Sequence, residues 1–181
     1  MKKYIGIAGT NYDKSLNKKL MKFIQTHFKD QAEIEIIDIS NLPVFYKVPG
    51  GNLPIEVQVL DEKIAQADGV IFATPEYDHS VPAVLMNAME WFSYVNQPFH
   101  DKPVLITGVS YGSLGTSRAQ DHLRQILNAP ELSAALMPSQ EFLVGRGFQA
   151  FNEDGALTNE DMVKDLEAQM SEFNDFVAQN K

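Results

Sequence analysis

The stretch GVIFATPEYDHSVPAVLMNAMEWFS, Gly69 to Ser93, passes through three kinds of local structure in one short span. Gly69–Thr74 is a continuous apolar run without polar alternation, the pattern of a strand covered on both faces. A turn dense in polar and aromatic groups follows at once: Pro75, Glu76, Tyr77, Asp78, His79 and Ser80. Pro82 to Val95 then reads as a helix, with proline tolerated in its first turn. Strand, tight turn and helix form one unit of a parallel α/β sheet.

Outward from this stretch the unit recurs. Tyr4–Ala8 is another buried strand, and Leu16, Leu20, Phe23, Ile24 and Phe28 repeat at helical spacing between Ser15 and Lys29. Ile34–Ile39 reads as a second strand, and Ile55–Ala67 as a helix with Ile55, Val59, Leu60 and Ile64 on one side. Pro103–Gly108 is a fourth strand. Ser117–Leu127 is a fourth helix through Ala119, Leu123, Ile126 and Leu127. A last strand falls within Met137–Val144, and Thr158 is the expected N-cap of a final helix carrying Met162, Val163, Leu166, Met170, Phe173 and Val177. Five strands alternating with five helices specify an α/β fold: a five-stranded parallel sheet, a three-layer sandwich, helices on both faces. A length of 181 residues suits a single domain spanning residues 1–181.

Bulk properties narrow the function. Absence of cysteine excludes disulfides and thiolate metal sites and fits a reducing compartment. The four histidines (His27, His79, His100, His122) lack metal-ligand spacing, so no metal is expected. A net charge of −9 opposes nucleic acid and anionic membrane. With no signal segment and no run long enough to span a bilayer, a soluble cytoplasmic protein is expected.

In a parallel sheet, ligands bind outside the carboxyl ends of the strands, which directs attention to three loops. Gly9–Asn17 offers Thr10, Ser15 and Asn17 together with the N-terminus of a helix, a natural seat for phosphate. The same residues also suit a plain turn and cap, and no P-loop or dinucleotide glycine pattern is present. Pro75–Ser80 exposes backbone groups that can read a flat heteroaromatic ring, with Tyr77 alongside and Ser80 placed to cap the next helix. Glu76 and Asp78 could be an acid/base pair, although adjacent acids in a turn are more often solvated; His79 has no identifiable partner. In Ser110–Arg118, Gly112 and Gly115 permit unusual φ, while Ser110, Tyr111 and Ser113 supply contacts. Arg118 stands at the wrong end of a helix for its charge, which points to a salt bridge or an anion contact. Together the loops indicate a nucleotide-like cofactor.

With these loops in view, the chain resembles the NAD(P)H-dependent FMN reductases, flavodoxin-like quinone, azo-dye and flavin reductases. Pro75, Glu76, Tyr77, Ser80, Pro82, Leu85, Asn87, Ala88 and Trp91 carry the resemblance, with Gly115, Arg118, Ala119, Leu123 and Arg124 after the fourth strand. It implies strand order 2-1-3-4-5 and non-covalent FMN. The phosphate would lie on Thr10, Ser15, Leu16 and Asn17, and the ring between Pro75–Asp78 and Ser110, Tyr111, Gly112, Ser113 and Gly115. It also implies ping-pong transfer from NADH or NADPH to a small quinone, flavin, azo or nitroaromatic acceptor, with no catalytic side chain because FMN carries the chemistry. A homodimer or tetramer is implied too, aided by the apolar helix Pro82–Val95. The chain departs from the family at Tyr12, Asp78 and Met86, where arginine, asparagine and lysine are usual. A flavodoxin-type electron carrier is the alternative, disfavoured because Gly9–Asn17 lacks the dense Thr/Ser-Gly-x-Thr loop of carriers.

Overall fold

The apolar strand runs split their side chains by parity, and this sets the layers. In a computed structural model describing residues 1–138 and 141–180, Ile5, Ile7, Val70, Phe72, Val104 and Ile106 face one core. Tyr4, Ile71, Ala73, Leu105 and Val109 face the other. The strands are β1 (Lys2–Ala8), β2 (Ala32–Ile37), β3 (Gly69–Ala73), β4 (Pro103–Val109), β5 (Ala135–Leu136) and β6 (Phe142–Val144). The helices are α1 (Leu16–His27), α2 (Ile55–Gln66), α3 (Ala83–Tyr94), α4 (Ser117–Leu127), α5 (Gly147–Ala150) and α6 (Glu160–Gln179). A short 3₁₀ turn, Pro49–Gly51, precedes α2. Helices α1 and α6 cover one face of the sheet and α2, α3 and α4 the other.

These strands pair in parallel, in the order β2-β1-β3-β4-β5, as expected for a flavodoxin-like sandwich. The fifth strand differs in detail. It is broken into β5, which pairs with Pro103 and Val104, and β6, which pairs with Thr107 to Val109 on the same edge of β4.

Two helix expectations are corrected. The inward face of α2 is Val57, Asp61 and Ile64, while Ile55 and Val59 are exposed. A carboxylate at the middle of that stripe defeats a hydrophobic count. For α6 the N-cap is Asn159, whose Oδ1 accepts from the Asp161 and Met162 N–H groups; Thr158 instead donates to the Gln149 carbonyl at 3.2 Å.

Asp61 carries its own prediction. Its Oδ2 accepts from the exposed Asn96 amide at 2.8 Å, but Oδ1 has no hydrogen-bond partner among the described residues. Burial pushes its carboxyl up from 3.8 to about 6. The folded state therefore holds the proton more tightly, so stability falls as pH rises from 3.8 to about 6 and stays reduced above. Asp61→Leu should stabilise the protein at neutral pH by on the order of 2 kcal/mol, with the gain shrinking near pH 4. Paired denaturation curves at the two pH values check this.

Candidate functional site

Three ladder bonds that continue past the strand ends bring the loops to one edge. Gly9 N–H donates to the Ala73 carbonyl at 2.9 Å, Thr74 N–H to Thr107 at 2.9 Å, and Ser110 N–H to Val144 at 3.0 Å. Between the loops lies a cleft lined by Tyr12, Ser15, Leu16, Asn17, Pro75, Glu76, Tyr77, Val109, Ser110 and Tyr111. Thr10 sits fully buried behind it, its Oγ1 3.3 Å from the Tyr77 hydroxyl, so the first and second loops are tied together. Asp78, Gly112, Ser113 and Gly115 do not line the cleft. Val109 escaped the sequence reading because the strand seemed to end at Gly108; its apolar character was the available signal.

The first loop has the chemistry of an anion seat. Ser15 caps α1 through the Asn17 N–H at 3.1 Å, and the first-turn N–H groups of Leu16 and Lys18 have no intrahelical acceptor. No acidic residue stands in that first turn to offset the positive end of the dipole. Asn17 has a different task from the donor role expected of it. Its amide exchanges two 2.9 Å hydrogen bonds with the Val109 backbone, pinning the start of α1 to the end of β4.

The second loop is a tight two-residue turn. Tyr77 and Ser80 exchange both backbone hydrogen bonds, at 3.1 and 3.0 Å, around Asp78 and His79. Both central residues are left-handed, φ 50° and 61°, a conformation that Asp and His tolerate better than most. Ser80 does not cap the following helix. Pro82 occupies the cap position of α3, and the Ser80 hydroxyl lies 2.9 Å from His122 Nδ1.

Glu76 and Asp78 do not act as a pair, and Glu76 is not solvated. Its side chain is 10% exposed and reaches α4, accepting from the Arg118 N–H at 3.0 Å and the Ala119 N–H at 3.2 Å. The Arg118 guanidinium stands 3.6 Å from the same carboxylate, the salt bridge its position suggested. Burial would raise the Glu76 carboxyl, but those N–H groups and the Arg118 charge hold it below its usual range. His79 also has partners after all: Arg118 Nη1 donates to its Nδ1 at 2.9 Å, and Glu76 lies 3.4 Å away. Asp78 stays exposed on the rim.

In the third loop only Gly115 needs its glycine for conformation. Its φ is +58°, and a Cβ there would lie 2.7 Å from the Leu143 backbone; Gly112 has neither constraint. Ser110 shapes the loop by accepting from the Gly115 N–H at 3.0 Å. On α3, Asn87 accepts from the Phe45 N–H at 2.7 Å and donates to Pro43, while the Trp91 indole donates to the same Pro43 carbonyl at 2.7 Å. These two residues therefore clamp the segment after β2 onto α3 and stay out of the cleft.

The cleft joins the first-turn N–H groups of α1 to apolar and aromatic side chains from the other two loops. Comparison with known proteins gives the family. Residues 2–149 match the family described as NADPH-dependent FMN reductase. The chain is 54% identical over 170 residues to the NADH:(hydroxy)cinnamate reductase subunit CrdA of Vibrio ruber, covering 94% of this chain and 84% of that protein. It is 41% identical over 182 residues to the NADH-dependent flavin reductase subunit 2 of Lactobacillus johnsonii, covering 98% of each. Among solved structures, the flavoenzyme NAD(P)H:(acceptor) oxidoreductase FerB of Paracoccus denitrificans superposes with a TM-score of 0.88 at 27% identity, covering 99% of both chains. The chain belongs to the NADPH-dependent FMN reductase family.

Proposed function

We propose an FMN-dependent oxidoreductase in which one domain, residues 1–181, moves reducing equivalents from NAD(P)H to a small organic acceptor. The observation that carries it is the convergence of three loops on a cleft whose inner end is the acid-free N-terminus of α1. Ser15 and Leu16, at the start of α1, would hold the phosphate end, with Thr10 buried behind the cleft and Asn17 bracing the helix start. The backbone of Pro75, Glu76 and Tyr77 would face the ring from one side, with Ser110 opposite and the half-exposed Tyr111 beside it; Asp78, Gly112, Ser113 and Gly115 stand outside the cleft lining. FMN held there would supply the redox chemistry, acceptance of a hydride from a nicotinamide and delivery of two electrons to an acceptor. The chain positions the ring: Glu76 fixes the second loop against α4, and Asn17 fixes the first against β4.

A carrier without a substrate of its own is disfavoured, because the relatives above are named reductases or subunits of them. Steady-state rates with NADH or NADPH against a panel of quinone, flavin, azo and nitroaromatic acceptors test the reading. Parallel double-reciprocal lines are expected, and no turnover with any pair would refute it.

Asp78 tunes the site in this account. A carboxylate at the rim opposes the negative charge that reduction adds to the ring. Asp78→Asn should therefore raise the midpoint potential by on the order of 30 mV, the two-electron equivalent of about 1.4 kcal/mol. An unchanged redox titration would contradict this.

We assign the enzyme to the cytoplasm, and no helix among the described residues is long and apolar enough to cross a membrane. The homodimer is proposed on apolar surface beside α3. Val44 is 84% exposed and Tyr46 is 53% exposed, next to the Trp91 ring that Tyr46 touches. Light scattering reads the mass directly.

A further inference from the structure

We propose that Tyr111 and Phe148 form an aromatic wall that selects flat, ring-bearing electron acceptors at the cleft, an inference that rests on the FMN-oxidoreductase reading. The two rings stack with centroids 4.2 Å apart and planes within 3° of parallel. Tyr111 lines the cleft, yet it is 56% exposed, and Phe148 is 75% exposed. Stacked on each other outside either core, the two rings present an aromatic surface beside the cleft.

The pair is built by the backbone and is not an accident of two mobile side chains. Arg146, at φ 52°, turns the chain into α5. Its N–H donates to the Gly112 carbonyl at 2.6 Å, and the Gly147 N–H donates to Ser110 at 2.8 Å. A Cβ on Gly147 would lie 2.5 Å from Leu16 Cδ1 and 2.7 Å from Val109 Cγ2, both on cleft-lining residues. A larger residue would push these side chains and the Ser110 carbonyl aside, so glycine favours the close approach of α5, and the next residue is Phe148. The segment thus seats Phe148 behind Tyr111 and stiffens it.

A planar acceptor lying against Tyr111 extends the stack by one ring, in the offset parallel geometry that aromatic pairs favour. A quinone so placed becomes a hydroquinone by gaining two electrons and two protons. One proton arrives with the hydride that originates on NAD(P)H and the other comes from water. A compact hydrophilic oxidant has no flat face to stack and gains nothing from the wall.

The test compares 1,4-naphthoquinone with ferricyanide at saturating NADH in the wild type, Phe148→Ala and Phe148→Tyr. Phe148→Ala, which frees Tyr111 from its stacked position, should lose about fivefold in kcat/KM for naphthoquinone, through KM, as the acceptor's own stack on Tyr111 weakens. Ferricyanide turnover and FMN content should stay within about twofold of wild type, and Phe148→Tyr should restore the quinone value. Unchanged naphthoquinone kinetics, or an equal fall for both oxidants, would overturn the wall alone. A wild-type protein that holds no FMN and oxidises no NADH would instead bring down the reading beneath it, and the wall with it.

Discussion

Asn17→Ala will unfold about 3 kcal/mol more easily than wild type and will retain little FMN. Asn17 is 2% exposed, and its amide both donates to and accepts from the Val109 backbone at 2.9 Å. Alanine strands a buried N–H and a buried C=O, and each unsatisfied group costs about 1–3 kcal/mol. The loss falls where it matters most, since this pair joins the start of α1 to the end of β4, the two elements that present the first and third loops. Asn17→Asp should rescue little. A carboxylate can accept from the Val109 N–H but meets the Val109 carbonyl with a second acceptor. The expected signature is a lower denaturation midpoint at unchanged slope, with FMN affinity weakened at least about tenfold. Wild-type FMN affinity in Asn17→Ala would show that the pin has no bearing on the site.

Glu76→Ala should weaken FMN binding about tenfold and destabilise the fold by about 2 kcal/mol. The start of α4 explains why. Its own cap residue, Thr116, is left-handed at φ 70° and makes no side-chain cap bond, so the first-turn N–H groups rely on a carboxylate from another loop. Removing that carboxylate uncaps α4 and releases the second loop together. Glu76→Gln keeps an accepting oxygen and should recover part of both losses, but without the charge that pairs with Arg118. The pH dependence separates the two variants. Because the folded carboxyl lies below its ordinary 4.5, its stabilisation is fully present above that value and is lost as pH falls through the folded one. Wild type should thus show a steeper acid decline than Glu76→Gln, read from denaturation midpoints across an acid series.

The fold was legible where the chain obeys one local rule at a time. The run at Gly69–Ala73 could only be a strand buried on both faces, and its parity alone assigns Val70 and Phe72 to one core and Ile71 and Ala73 to the other. The edge where the three loops meet followed from the parallel topology, and eight of the residues expected there line the cleft: Ser15, Leu16, Asn17, Pro75, Glu76, Tyr77, Ser110 and Tyr111.

What escaped were partnerships across long sequence separations. Nothing near Glu76 shows that its carboxylate caps a helix 42 residues on, and nothing near Asn17 shows that Val109 consumes its amide. Asp61 hid for the opposite reason, as a charge on an inward stripe that hydropathy assigns to apolar neighbours. Thr158 and Asn159 are both competent caps, and only the chain path at the Gln149 and Ala150 carbonyls gives Thr158 other work. Stacking of Tyr111 on Phe148 depends on the backbone bonds that dock α5, which no periodicity reveals.

The cleft as a flavin seat is tested most directly by the absorption spectrum of the purified protein during an anaerobic titration. The account predicts a two-banded flavin spectrum, one acid-releasable FMN per chain, bleached by NADH or NADPH and restored by a quinone. A colourless protein that binds no FMN when titrated with it would contradict the account at its root.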